Sequence, residues 1–267
     1  MAIPNIDIIF QNELILVINK PSGLSVTTDR SGSFFLRDCL KKILTEEVIQ
    51  NLRLIHRLDK DTSGVMVLAK TKQAQTIFSQ LFEKRNVRKT YLALVSGIPP
   101  SDSGTIDVPI SVQPTNKNIF RIDKKGGKTA HTEWRLLANF GHISLLAVYP
   151  LTGRTHQIRI HLPSIGLNLA VDPLYGSSSG LLLSDFKSQY KLNKSGTETP
   201  LIDRLTLHAY QLGFSNPPPD CPSLFIAPLE KKFKAAIKML TKYNPKGPAA
   251  FINPDIYEKI LSASHID

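Results

Sequence analysis

In IHRLDKDTSG, residues 55–64, a carboxylate, Asp59, stands between Arg57 and Lys60, with Leu54, Ile55, Leu58 and the apolar run VMVLAK around it. Asp, Thr, Ser and Gly all favour turns, so a polar turn accounts for the composition. A carboxylate fixed between apolar anchors is also preorganised as a nucleophile or base. Asp61 offers the second acid of a glycosidase-like pair, but residues two apart in a tight turn point different ways. In RKTYLALVSG, Tyr91 alternates with Ala93 and Val95, so an extended chain sets all three on one side, as a core tyrosine would also require. In YPLTGRTHQIRIHL, a helix would bring His156 and Arg159 to one face and Ile158 and Leu162 to another. His156 and His161 are five apart, the wrong helical spacing for two metal ligands, and HExxH is absent. Taken alone, Arg154 and Arg159 read as solvated helix charges.

The elements around these residues have readable signals. ELILVINKPSG predicts a buried strand running into a turn at Pro21 and Gly23. Ser33 is a candidate N-cap for a helix with Phe35, Leu36, Cys39, Leu40, Ile43 and Leu44 on one side. Thr62, Ser63 and Gly64 are expected to shape a tight loop before the strand VMVLAK. Thr71 opens a helix in which Ala74, Ile77, Phe78, Leu81 and Phe82 keep the period of a core-facing stripe. TYLALVSG is the next strand, closed by GIPP. HTEWRLLA and HISLLAVYP flank the turn NFG, and DKKGGK reads as a basic hairpin tip. TGRTHQIRIHLPSIG predicts a loop entering a short helix, capped by Thr152 or Thr155 and ended before Gly166. Residues 177–200 are polar and irregular, as in an insertion or long surface loop. RLTLHAYQLGF returns to strand, and LEKKFKAAIKML makes a basic amphipathic helix. The order lacks a regular βαβ rhythm, which favours α+β.

The chain has 267 residues and is 42% hydrophobic, enough for one large domain or two packed lobes. Lys and Arg total 33 against 22 for Asp and Glu, a net charge of +11, which favours a polyanionic partner. No long basic amphipathic helix suited to a membrane surface is visible, and LILVI, residues 14–18, is far short of a span. MAIPNIDIIFQNE has no basic n-region or cleavage site. Cys39 and Cys221 form neither a disulfide framework nor a zinc motif, so a cytoplasmic location is expected.

Together the segments resemble the RluA-type branch of the RNA pseudouridine synthases. HRLDKDTSG, residues 56–64, fits that family's HRLD-x-x-TSG signature, and NKPSGLSV, residues 19–26, resembles its KP-x-G segment. RKTYLALVSG resembles the segment bearing the family tyrosine, TGRTHQIRIHL its TGR-[ST]-HQ-[IL]-R helix, and LTLHA, residues 205–209, its last core strand. All occur in family order. The family loop GHP-[IL]-x-GD-x-x-YG is here GLNLAVDPLYG: Asp172, Tyr175 and Gly176 remain, with Asn168 for the proline and Val171 for a glycine.

The resemblance implies isomerisation of uridine to pseudouridine in structured RNA, with ribosomal RNA the first expectation and tRNA the second. Asp59 would be the catalytic aspartate, attacking C1′, attacking the base, or taking a ribose proton. Arg159 would ion-pair with it, Tyr91 would stack on the uracil, and Arg57 would fill the space of the flipped base. Arg154 and His156 would contact RNA, while Lys20, Pro21, Thr62 and Gly64 would support the site. His56 is left between a structural and an RNA-contacting role. The implied fold is α+β, a mixed, mostly antiparallel central sheet flanked by helices, with an active cleft across its middle. One catalytic domain over 1–267 is expected, with its core at about 14–240 and a basic extension at 228–267. No N-terminal S4-type domain, cofactor, metal or membrane contact is expected, and the protein should be a monomer. The competing reading is a non-catalytic RNA-binding or ribosome-assembly protein on the same fold; an RNA glycosidase or nuclease lacks a second well-placed acid.

Overall fold

The computed structural model describes residues 4–27, 34–176, 180–187, 190–191 and 196–267. The chain opens with strands β1 (Asp7–Gln11) and β2 (Ile15–Lys20), helices α1 (Leu36–Leu40) and α2 (Glu46–Asn51), and strands β3 (Arg53–Leu54) and β4 (Ser63–Ala69). Helix α3 (Lys72–Glu83) and strands β5 (Val87–Ser96), β6 (Ser103–Asp107), β7 (Ile110–Gln113) and β8 (Asn116–Ile122) follow. Next come β9 (His131–Asn139), β10 (Ile143–Pro150), helix α4 (Gln157–Ser164), and strands β11 (Leu207–Phe214) and β12 (Leu224–Ile226). Helices α5 (Lys231–Tyr243) and α6 (Asp255–Leu261) complete the order. This is the expected α+β mixture. The chain divides into two compact units, Met1–Thr90 with His208–Pro228, and Tyr91–Leu207 with Leu229–Asp267.

In the first unit β2 pairs antiparallel with both β1 and β4, and β11 lies parallel to β4 through His208 opposite Ser63 and Ala209 opposite Gly64. Every residue of β4 is buried, which explains why SGVMVLA reads as a continuous apolar run rather than an alternating one. Helix α3 starts where the sequence places it, because the Thr71 hydroxyl accepts the Ala74 N–H at 3.0 Å. Its stripe buries Ala74 and Phe78, and full burial of a phenylalanine contributes about 2–3 kcal/mol. Arg85, at φ +59°, then turns the chain out of the helix.

Two expectations for this unit need correction. Helix α1 is a single short turn that ends at Leu40, so Ile43 and Leu44 fall in the turn after it, and Phe35 occupies its N-cap position. Ser33, the expected cap, lies outside the described residues. Ser63 and Gly64 do not shape the loop; they already belong to β4, where the parallel pairing with β11 claims them.

In the second unit β10 lies between β5 and β9, antiparallel to both, and β6 pairs antiparallel with β9. The expected β9–β10 hairpin around Asn139, Phe140 and Gly141 is present, with Gly141 at φ +96°. Ala93 and Val95 of β5, Leu146 and Val148 of β10, and Ile158 and Leu162 of α4 form one buried cluster, with Tyr91 packed against it. The face assignments for β5 and α4 therefore hold. Helix α5 buries Phe233, Ala236, Ile237 and Leu240 and exposes Lys231, Lys238 and Lys242, as an amphipathic basic helix should.

Here too there are corrections. DKKGGK is a tight turn but not a hairpin tip: β8 pairs with β7 in a separate two-stranded sheet, whereas β9 joins the large one. Asp123 accepts the N–H groups of Lys125 and Gly126, and Lys128 bridges back to Ile110. Neither Thr152 nor Thr155 caps α4; His156 takes that position with φ +56°. Between 177 and 200 the described residues hold neither helix nor strand, and Leu181 is tied to Ile202 by an isolated bridge.

Candidate active site

Asp59, Arg57, Lys20, Pro21, Thr62 and Gly64 belong to the first unit, and Tyr91, Arg154, His156 and Arg159 to the second. In the first, the turn carrying Asp59 is tied down from three directions. Lys20, fully buried, donates from Nζ to the carbonyls of Pro21, Leu24 and Lys60, each at 2.9 Å. The Gly23 N–H donates to the Lys60 carbonyl as well, and the Ser22 hydroxyl donates to the Asp61 carbonyl at 2.7 Å. The KP-x-G segment thus clamps the backbone of the two residues that follow Asp59. Within the turn the Thr62 N–H donates to the Asp59 carbonyl.

On the far side of the turn, the Ser63 hydroxyl meets His208 Nδ1 at 2.8 Å, and His208 Nε2 faces the Ala227 carbonyl. A carbonyl can only accept, so Nε2 carries the proton and Nδ1 accepts from Ser63. Burial pushes the His208 imidazole down to about 4, which keeps that arrangement neutral. Gly64 is required: at φ +116°, a Cβ there would lie 2.1 Å from the Ala209 carbonyl oxygen. His56 is structural, because the Val67 N–H donates to its Nε2 and its ring stacks on Phe82. Burial, with the charge of Lys89 adding to it, pushes its pKa to about 3.

In the second unit, the helix that reads HQIR carries a buried ion pair. Arg159 donates from Nε to Asp172 Oδ2 at 2.9 Å and from Nη2 to Asp172 Oδ1 at 2.6 Å, a two-pronged contact between side chains only 2% and 3% exposed. Arg159 is therefore not a solvated charge. Burial pushes the Asp172 carboxyl up, but the Arg159 guanidinium and the N–H groups of Leu174 and Tyr175 outweigh it and hold it below its ordinary value. The Tyr175 ring lies beneath the guanidinium at 5.2 Å, and its hydroxyl is 2.7 Å from His156 Nδ1. The same hydroxyl accepts the Phe120 N–H at 3.0 Å. His156 and Arg159, three residues apart, meet on Tyr175 as their shared helical face requires.

The loop into α4 is held by Gln157, whose Oε1 accepts from the Thr152 hydroxyl and the Arg154 N–H, while its Nε2 donates to the His131 carbonyl and Thr132. The Arg154 side chain donates to the Thr129 carbonyl at 2.9 Å. His161 is buried with its two nitrogens engaged by Thr132 and the Val108 carbonyl. Val171 causes no distortion: it is buried, its N–H donates to the Thr206 hydroxyl, and its carbonyl accepts the Thr206 N–H. Sequence reasoning passed over the roles of Ser22, Ser63, His208, Asp172 and Tyr175; the signal for the last two was their survival in GLNLAVDPLYG.

Comparison with known proteins agrees with this architecture. Residues 14–164 match the family described as RNA pseudouridylate synthase. Ribosomal large subunit pseudouridine synthase C of Buchnera aphidicola subsp. Baizongia pistaciae is 34% identical over 236 residues, covering 87% of this chain and 70% of the relative. Ribosomal large subunit pseudouridine synthase D of Zymomonas mobilis is 32% identical over 243 residues, covering 88% of this chain and 73% of the relative. The solved structure of human RNA pseudouridylate synthase domain containing 4 has a TM-score of 0.63 at 26% identity over 87% of this chain and 92% of its own. That of human RNA pseudouridylate synthase domain containing 1 has a TM-score of 0.68 at 23% identity over 100% of this chain and 99% of its own, a likeness of fold. The chain belongs to the RNA pseudouridylate synthase family, enzymes that isomerise uridine in RNA to pseudouridine, and within it to the RluA-type branch.

Proposed function

We propose that this protein converts specific uridines of ribosomal RNA to pseudouridine, with Asp59 as the catalytic carboxylate. The relatives' names support ribosomal over transfer RNA. The observation that carries the role of Asp59 is the clamp on its turn: Lys20, Gly23 and Ser22 fix the backbone carbonyls of the two residues after it. A carboxylate on a backbone held this way keeps its aim without reorganising during the reaction.

In the reaction the N1–C1′ bond of uridine breaks, the freed uracil turns, and C5 bonds to C1′; C5 then loses its proton and N1 gains one. No electrons are gained or lost overall, so the reading calls for no redox cofactor. Asp59 starts this sequence at C1′, at the base, or at a ribose proton. Tyr91 stacks on the uracil, and Arg57, exposed beside Asp59, takes the place of the extruded base. Arg159 supports the ionised Asp59, and Arg154 and His156 contact the RNA. Lys20, Pro21, Thr62 and Gly64 serve the scaffold. The protein acts as a cytoplasmic monomer, both compact units serving one catalytic function.

The test is tritium release from ribosomal RNA labelled at uracil C5. Wild-type protein is expected to release tritium, and Asp59→Asn to release none while RNA affinity stays within about threefold, because chemistry rather than binding is lost. Release by folded Asp59→Asn at the wild-type rate would remove Asp59 from the mechanism.

A further inference from the structure

Asp172 performs two tasks with one carboxylate. Its Oδ2 accepts from Arg159 Nε, and its Oδ1 accepts from Arg159 Nη2 as well as from the N–H groups of Leu174, at 2.9 Å, and Tyr175, at 3.1 Å. Its own carbonyl accepts the Gly176 N–H at 2.9 Å, which closes the turn. The residue that grips the guanidinium therefore also folds the turn that presents Tyr175. Tyr175 in turn puts its ring under the same guanidinium and its hydroxyl against His156. Phe120 completes the arrangement, donating its N–H to that hydroxyl and setting its ring edge-on to His156 at 5.5 Å.

A guanidinium on a long side chain has many rotamers, and a contact made by two parallel N–H bonds fixes its plane as well as its position. Among the described residues a carboxylate with under a twentieth of its surface exposed is not placed to touch a nucleic acid directly. We infer that Asp172 is a positioning residue, one that works through Arg159 by fixing the direction of its guanidinium before RNA binds, with Tyr175 carrying the same constraint to His156. The inference rests on the proposed role of Arg159 in the reaction.

The substitution Asp172→Asn suits the test, since asparagine keeps an oxygen for the Leu174 and Tyr175 N–H groups and supports the same turn. It replaces the second oxygen by an NH₂ group that faces Arg159 Nε and cannot accept from it. Folding of each variant is checked by thermal melting and far-ultraviolet circular dichroism, and rates are taken per folded molecule. Asp172→Asn is expected to lower the single-turnover rate of tritium release about 10- to 100-fold with RNA affinity within about threefold, the pattern of misplaced rather than missing chemistry.

The decisive arm is a double-mutant cycle with Arg159→Lys, whose ammonium cannot make the two-pronged contact. If Asp172 works through Arg159, adding Asp172→Asn to Arg159→Lys lowers the rate by no more than about twofold. An equal loss in both backgrounds would make Asp172 a structural residue and overturn the inference. So would an unchanged rate in folded Asp172→Asn. Failure of the wild-type protein to release tritium would instead strike the proposed function, and the two failures are thereby distinct. Tyr175→Phe gives a second handle: it keeps the ring under Arg159 but loses the hydroxyl, and a rate loss smaller than that of Asp172→Asn is expected. A loss as large as that of Asp172→Asn would shift the positioning role from the guanidinium to His156.

Discussion

Lys20, wholly shielded from water, gives its ammonium to three backbone carbonyls. Replacing it with methionine keeps the stem and takes the ammonium donor from all three carbonyls, one of them next to Asp59. Hydrogen bonds to a charged group contribute about 1.5–3 kcal/mol each, and not additively, so Lys20→Met should cost about 2–4 kcal/mol in urea denaturation. It should also lower turnover, because the Lys60 carbonyl would then be held by the Gly23 N–H without the ammonium. The histidines make a second residue-scale prediction. Folding lowers His56 to about 3 and His208 to about 4, from an ordinary value of 6.5. Below pH 6.5 the unfolded chain takes up protons that the folded one refuses, so stability is complete above that pH and falls as the pH drops toward 4. For His208 alone the loss at about pH 5 is about 2 kcal/mol. Urea denaturation at neutral and mildly acid pH measures it, and His208→Asn should flatten the decline.

Among the elements, the β4–β11 contact is the least tolerant of change. A methyl group at Gly64 would collide with the Ala209 carbonyl in a backbone conformation that alanine resists, so Gly64→Ala should destabilise the protein by at least about 3 kcal/mol. A melt followed by circular dichroism would show it, and Gly97→Ala, whose Cβ meets nothing within 4 Å, isolates the share due to positive φ alone. The same scale shows what was legible in the sequence. Strands β2, β4, β5, β9, β10 and β11 and helices α3 and α5 were readable because each buries a regular apolar pattern. Strands β1 and β3 were not, since their residues stay largely exposed or half-buried and their extension is imposed by partners. The start of α4 differs because His156 adopts a left-handed conformation at the cap position without a side-chain cap bond, while Gln157 holds the loop before it through the Arg154 N–H, which no propensity anticipates. At the proposed site, Asp59 was singled out by an ordered set of motifs. The Arg159–Asp172 pair was not, because nothing in a 13-residue separation tells that the intervening chain turns back on itself.

For the molecule as a whole, the net charge of +11 makes RNA affinity a function of salt. If several phosphates are neutralised on binding, raising salt from about 50 to about 200 mM should weaken binding roughly a hundredfold, while a neutral mononucleoside would show no such dependence. A filter-binding or anisotropy series gives the slope directly. Lys231, Lys238 and Lys242 lie on the exposed side of α5, away from its buried Phe233 and Leu240. Changing the three to glutamine measures the share of that slope carried by this helix, and the value obtained with Asp59→Asn should match the wild type if the carboxylate acts in chemistry as proposed.

The first unit is not a continuous stretch of chain: it ends at Thr90 and resumes at His208. The bond between Ser63 and His208 spans 145 residues, and Gly64 needs Ala209 beside it in the same parallel pair. On a ribosome that adds about 5–20 residues per second, β4 waits on the order of ten seconds before its neighbour is made. Through that interval an apolar strand with an unpaired edge is exposed to the cell, and the second unit as far as Leu207 is synthesised before the Asp59 turn can be locked on its far side. The newborn enzyme is therefore most vulnerable to aggregation midway through its own translation, and it gains a finished Asp59 turn only as one of its last acts of folding.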